Sequence, residues 1–481
     1  MATEINVVRE QGATSGLKPR LTLLDATMLV MGSMIGSGIF IVSADMARTM
    51  MSAGGLLLVW GATGLITVLG ALAYGELAAA MPRAGGQYVF LREGLGPIWG
   101  FLYGWTLFVV IQTGTIAAVA VAFSRFLQVF FPAVTPDVFL SLGHIPMPGG
   151  QVELGLSIQR IIAMAVILVL TGVNIMGVRE AKWIQNLFTT AKIAALVGLI
   201  FLGVAIGRDP AALRANFAAP WQGMPLGTAF IMAFGAAAVG SLFASDAWNN
   251  VTFAAAEVHR PARNLPLALA MGTGAVTLIY LLANVAYLSA LTLGEIQHAA
   301  QDRVGTVLSQ HVFGGMGLYL MAGAILVSTF GCINGLVLAG ARVFYSMARD
   351  GLFFRPAADL SPRSAVPVKA LLFQAAWTCL LALSGTYGNL LDYVIFAALI
   401  FYFLTAVALF RLRVTRPEMP RPYRAFGYPV LPAIYLLATG GIAVVLLFAK
   451  PIYSTAGLVL VLLGVPVFFL WRRTGTPVDS A

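Results

Sequence analysis

Charge is scarce in this chain. Only 10% of the residues are Asp, Glu, Lys or Arg, against about 25% in a soluble domain, which excludes a solvated globular surface over most of its length. Cysteine and histidine are nearly missing as well, at two and four residues. His144, His259, His298 and His311 fall in predicted loops or at helix ends, and the sequence has no cysteine–histidine cluster, no H-E-x-x-H and no P-loop. These absences leave nothing from which to build a metal centre, a cofactor site or ATP-driven transport, and no stretch is left over for a soluble catalytic domain. Both cysteines, Cys332 and Cys379, lie in apolar spans, so a structural disulfide has no support. The first ~20 residues are polar with no apolar core, which does not read as a cleavable signal peptide.

What is abundant is apolar surface: 59% of residues are hydrophobic and the mean hydropathy is +0.88. Stretches long enough for the ~30 Å hydrocarbon layer at ~1.5 Å per residue recur throughout. They predict an all-α integral membrane protein with twelve transmembrane helices at 22–49, 54–81, 97–131, 157–173, 183–206, 226–257, 264–291, 315–349, 368–383, 388–412, 428–449 and 451–472. The net charge of +10 raises the question of nucleic acid, and the placement of the basic residues answers it. With the N-terminus inside, 21 of the 29 Lys and Arg residues fall in cytoplasmic segments. That asymmetry is the positive-inside pattern. It predicts both termini in the cytoplasm, multi-pass insertion in the cell inner (plasma) membrane, a lipid bilayer as the partner surface, and no nucleic acid.

Two spans are interrupted. Gly32-Ser33-Met34-Ile35-Gly36-Ser37-Gly38-Ile39-Phe40 sits in the first, and Gly240-Ser241-Leu242-Phe243-Ala244-Ser245-Asp246-Ala247-Trp248-Asn249-Asn250 in the sixth. Backbone groups freed at membrane depth cost several kcal/mol each unless protein, water or a ligand satisfies them, so a broken helix marks a cavity. Close packing at glycine is the alternative for either segment taken alone. Breaks at matching places in two halves, separated by an odd number of spans, point instead to a midplane site between inverted repeats. The chain thus divides into a tail at 1–21, five-helix repeats at 22–206 and 226–412, two accessory helices at 428–472, and a tail at 473–481.

Half-helix N-termini attract an anion and exposed carbonyls attract a cation, so a zwitterion suits both. Gly36, Ser37 and Gly38 are candidates to meet a carboxylate through their N–H groups, and the carbonyls of Met34, Ile35, Phe243 and Ala244 to meet an ammonium, with Ser245, Asp246 and Ala247 completing the substrate-binding set. Asp246 reads either as the N-cap of the half-helix beginning at Trp248 or as the contact for a solute cation. Lys192 lies ~14 Å into the fifth span. It is expected to face the interior and donate to carbonyls of the first break or to a hydroxyl such as that of Ser328, its charge either replacing a sodium ion or, with a pKa lowered by burial, exchanging a proton. Glu76 and Glu257, nearer the cytoplasmic ends, read as solvated or locally paired carboxylates. Phe243 is the candidate gate.

Taken together, Gly36-Ser37-Gly38-Ile39-Phe40, Tyr74-Gly75-Glu76-Leu77 with Pro82-Arg83-Ala84-Gly85-Gly86-Gln87-Tyr88, Phe188-Thr189-Thr190-Ala191-Lys192, and Phe243-Ala244-Ser245-Asp246-Ala247-Trp248-Asn249 with Arg263-Asn264-Leu265-Pro266 resemble the amino acid–polyamine–organocation transporter superfamily. They are most similar to its L-type amino acid transporter branch, over about Leu21 to Arg424. The resemblance implies the five-plus-five inverted repeat, sodium-independent transport and a backbone-recognition site between helices one and six. It implies Lys192 as the stand-in for a sodium ion, Phe243 as the aromatic gate, and exchange of neutral amino acids. Relatives usually carry glycine where this chain has Ala247, which implies a narrower pocket. Loop 132–156 lacks the cysteine that links eukaryotic relatives to a glycoprotein subunit. No disulfide-linked subunit is therefore expected, and the chain is expected to be a monomer or weak homo-oligomer.

The function expected is sodium-independent exchange of small or medium neutral L-amino acids by alternating access. Proton-coupled amino acid symport, or a polyamine or cationic amino acid permease, are the alternatives within the class. A membrane-embedded enzyme or a channel are the alternatives outside it, and neither has its signature here.

Overall fold

The computed structural model describes residues 16–147, 150–384 and 388–474. The predicted tails at 1–21 and 473–481 therefore lie largely outside the described residues. The chain is built on helices. α1 (Leu23–Met34) is followed by a 3-10 turn (Gly38–Phe40), α2 (Val42–Met50), α3 (Ala53–Ala80), a short α4 (Gln87–Leu95) and α5 (Pro97–Leu127). Next come α6 (Ile158–Met176), α7 (Val178–Ile206), the short α8 (Pro210–Phe217), α9 (Gly227–Ala244) and the one-turn α10 (Asn250–Phe253). α11 (Pro261–Ala290), α12 (Leu293–Gln297), α13 (Val304–Phe313), α14 (Gly315–Arg349) and α15 (Val368–Ala382) follow. α16 (Gly388–Thr415), α17 (Val430–Ala449) and α18 (Pro451–Thr474) close the chain.

Ten of the described helices are long and apolar enough to cross a membrane. The first and ninth predicted spans are the two that fall short: one is divided between α1 and α2, and the other is the shorter apolar helix α15. Apolar residues face outward as well as inward, with Leu168, Val197, Leu278, Leu437 and Phe448 all exposed. That is the pattern of a bundle whose outer solvent is hydrocarbon. One departure from the all-helical expectation stands out in loop 132–156, which carries an antiparallel hairpin of β1 (Leu140–Met147) and β2 (Gly150–Leu156). Arg160 fastens it by donating to the carbonyls of Glu153, Gly155 and Leu383.

Helix starts follow local chemistry. Thr22 and Asp25 form a capping box on α1, Ser52 caps α3 and Ser157 caps α6, each satisfying N–H groups that a helix cannot pair with itself. Asp25 also binds Lys182 and Asn186 of α7 at 2.9 and 2.7 Å, so the cap doubles as a tie between two spans.

Glu76 and Glu257 are both 1% exposed, and they are paired rather than solvated. Glu76 takes Arg413 at 2.9 and 2.5 Å, Arg421 at 3.3 Å and the Ala425 N–H at 2.7 Å. Glu257 takes a two-pronged contact from Arg342 at 2.8 and 3.1 Å. Breaking a buried pair strands a charge and costs about 3–5 kcal/mol, whereas replacing both partners with apolar groups is often neutral. Arg342→Leu should therefore lower unfolding stability by about 3–5 kcal/mol, and Glu257→Leu/Arg342→Leu by far less. Thermal unfolding of the detergent-solubilised variants checks the order; equal losses for single and double variants would refute it.

Candidate functional site

The two interruptions meet in the interior. α1 ends at Met34, Ile35 turns extended with ψ of 97°, and the 3-10 turn opens at Gly38. α9 ends at Ala244, and regular helix resumes only at Asn250. A Cβ built on Gly38 would lie 2.8 Å from the Ala244 Cβ and 3.0 Å from its Cα, so the backbones touch where only glycine permits it. The Tyr280 hydroxyl of α11 lies between them, 3.2 Å from the Met34 carbonyl and 3.0 Å from that of Ala244.

Lys192 is 1% exposed. Its ammonium donates to the carbonyls of Gly32 and Ile35, each at 2.6 Å, and of Ser328 at 3.3 Å. The expected contact with the first break is present, but Ser328 meets the lysine through its carbonyl. Its hydroxyl turns instead to the carbonyls of Ile35 and Gly36, at 3.2 and 2.9 Å. An ammonium has three N–H groups, and three carbonyls receive them.

Past that clamp the backbone polarity reverses. Among the described residues the N–H groups of Gly36 and Gly38 make no hydrogen bond within the protein, although both glycines are buried. Ser37 is 1% exposed between them. This arrangement can receive an anion through amides whose only alternative partner is a ligand or water.

The second interruption is arranged differently from the sequence reading. Asp246 caps no helix: the next helix has Asn249 at its N-cap, without a side-chain bond, and is one turn long. The Asp246 carboxylate instead receives the Tyr402 hydroxyl of α16. Asn249 donates to the Gln87 side chain at 2.6 Å, and Gln87 donates to the Phe401 carbonyl and the Thr405 hydroxyl, tying the interruption to α4 and α16. Ala247 has φ of 64°, in the left-handed region that costs a residue with a Cβ roughly 1–2 kcal/mol. It lines a recess with Tyr103, Asn249, Phe253 and Tyr402. Ser245 borders the neighbouring recess next to Leu242, while Phe243 packs against the core at 7% exposed.

The sequence reading missed Tyr280, Asn284 and Tyr287, and it missed Tyr402. The first three stand four and three residues apart, on one helix face. Tyr287 donates to the Ile39 carbonyl at 3.2 Å, and Asn284 accepts from Ser43 at 2.7 Å. Polar residues at that spacing in an apolar span were a usable signal. Tyr402, in an aromatic-rich span, offered none.

The sequence model of the amino acid permease family matches residues 21–470. The chain is 32% identical over 467 residues to the large neutral amino acids transporter small subunit 2 of Homo sapiens, covering 95% of this chain and 81% of that protein. It is 31% identical over 463 residues to the Asc-type amino acid transporter 1 of Mus musculus, at 95% and 82% coverage. It is 28% identical over 473 residues to the b(0,+)-type amino acid transporter 1 of Homo sapiens, at 97% and 91% coverage.

Two glycines of the first interruption should separate sharply on substitution. A Cβ on Gly36 meets Cys332 Sγ at 3.4 Å, an ordinary contact, whereas one on Gly38 collides with Ala244. Gly38→Ala should cost about 1–3 kcal/mol by overpacking, and Gly36→Ala under about 1 kcal/mol. Ala247→Gly should stabilise by roughly 1 kcal/mol through relief of its left-handed backbone. Unfolding midpoints of the three variants test the ordering, and an equal response at Gly36 and Gly38 would contradict the contact geometry.

Proposed function

The chain belongs to the amino acid permease family, whose members are membrane transporters and not enzymes, and from that premise we propose that it exchanges small or medium neutral L-amino acids across the plasma membrane without sodium. In this reading the inverted repeats are 22–206 and 226–412, α17 and α18 are accessory, and both termini are cytoplasmic. The observation that carries the proposal is the Lys192 clamp beside the open amides. Unwound carbonyls are the groups that hold Na⁺ in transporters with broken helices. Here a fixed ammonium takes the carbonyls of Gly32, Ile35 and Ser328, so the cage has its cation already.

The amides of Gly36 and Gly38, with Ser37, then receive the solute carboxylate. The carbonyls of Met34, Phe243 and Ala244 remain on the cation side, each carbonyl having a second lone pair. Ser245, Asp246 and Ala247 shape the space beyond, and Phe243 is the gate at the end of α9. The methyl of Ala247 subtracts volume there, which favours alanine, serine or threonine over tryptophan. Separation from any covalently attached subunit is supported by the positions of Cys332 and Cys379, which lie within α14 and α15.

Radiolabelled alanine efflux from proteoliposomes, with and without external amino acid, sodium and a pH gradient, tests the reading. Replacing sodium with choline should leave the rate unchanged. Lys192→Ala strands buried carbonyls at about 1–3 kcal/mol each and should cut transport at least about tenfold while the protein still elutes as a folded species. Alanine and serine should outcompete tryptophan. A strong sodium requirement would sink the role of Lys192, and preference for bulky solutes would sink the steric role of Ala247.

A further inference from the structure

We propose that Asp246 is a proton-loading site, set beside a small cavity behind the second interruption, which couples amino acid movement to a proton. The proposal rests on the transport reading and adds a coupling ion to it.

Asp246 is 7% exposed and lies at the depth where helix α9 breaks. A carboxylate inside a membrane costs about 2.5 kcal/mol or more unless it is paired. Glu76 and Glu257 each have arginine partners. Among the described residues Asp246 has no ion pair, and the one side-chain hydrogen bond it receives is from Tyr402. Lys192, the ammonium in this part of the interior, is committed to three carbonyls.

The carboxylate borders a cavity of about 20 Å³ whose wall is mostly apolar, with Tyr402 of α16 and Tyr435 of α17 among its polar groups. That volume admits a water molecule but no lysine or arginine side chain. The buried Tyr435 hydroxyl borders the same cavity, and a water held there would bridge it to the carboxyl. Size therefore favours a proton with its water over a cationic solute group.

The titratable groups that share a recess with Asp246 are Tyr402 of α16 and Tyr435 of α17 on one side and Tyr103 of α5 on the other. Phenols ordinarily titrate near ~10 and carboxylic acids near ~4, so a proton exchanged within this set is carried by the carboxyl. No lysine, arginine or histidine belongs to the set.

The test uses full-length protein in liposomes loaded with a pH dye, with alanine as solute. For one proton per solute, an inward gradient of one pH unit should raise alanine accumulation by up to about tenfold, and alanine entry should acidify the lumen. Asp246→Asn should bring the ratio of accumulation with and without the gradient to about one, and Asp246→Glu should restore it. Size-exclusion elution and a cooperative thermal unfolding transition report whether each variant is folded, and alanine-induced stabilisation reports separately whether it still binds. Should Asp246→Asn fail to fold, Tyr435→Phe, which removes a cavity hydroxyl and leaves the carboxyl, should diminish the acidification.

Wild-type exchange that runs at full rate but ignores the gradient and moves no proton overturns the proposal while leaving transport intact. So does an Asp246→Asn variant that keeps the proton response and loses only lysine and arginine uptake, which would make the cavity a subsite for cationic side chains. Failure of any amino acid to move or bind overturns the transport reading and the coupling with it.

Discussion

The arrangement depends on an ammonium held at the end of a broken helix. α1 stops inside the bundle, and its last carbonyls face inward carrying the negative end of the helix dipole, equivalent to roughly half a charge. Lys192 of α7 sits on those carbonyls and reaches Ser328 of α14, whose hydroxyl covers the remaining carbonyl face at Ile35 and Gly36. Three spans are joined at one point. With the carbonyls of Gly32, Ile35 and Gly36 engaged by protein, the amides of Gly36 and Gly38 are left without a protein partner among the described residues. An interruption that would otherwise bind either sign of charge is thereby biased toward an anion.

α11 works as a strut for both interruptions. Tyr280 bridges the ends of α1 and α9, Tyr287 holds the carbonyl of Ile39, and Asn284 holds Ser43 of α2. Each hydrogen bond contributes a net ~1 kcal/mol, so exchanging the set amounts to a few kcal/mol. That is the range separating a major conformer from one populated at 0.1–10%. α11 thus fixes the two broken segments against each other where the site forms.

Much of this was legible before any coordinates. Glycine and serine in Gly36-Ser37-Gly38 mark the first break because a helix there would lack both side-chain packing and backbone partners, and Lys192 stands out because a lone ammonium at that depth must find acceptors. The role of Asp246 was not legible as a non-cap, because the turn from Ser245 to Asn249 is set by contacts with α4 and α16, which are more than a hundred residues away in the chain. The left-handed backbone of Ala247 was hidden for the same reason: alanine gives no local hint of positive φ, and tertiary packing imposes it. The hairpin in loop 132–156 escaped notice because its short strands carry little periodicity against the hydrophobic background.

The two charges near the interruptions are treated oppositely by their surroundings, and that contrast bears on mechanism. Lys192 has a carbonyl for each of its protons. Asp246 has the Tyr402 hydroxyl and the Ala247 N–H for a group with about four acceptor positions. The sequence is able to pair buried carboxylates when pairing serves it, as the arginines at Glu76 and Glu257 demonstrate. Had Asp246 been given such a partner, the second interruption would be locked and electrically silent. Without an ion pair among the described residues and beside a cavity large enough for water, Asp246 is treated unlike those carboxylates, which is why coupling is sought there.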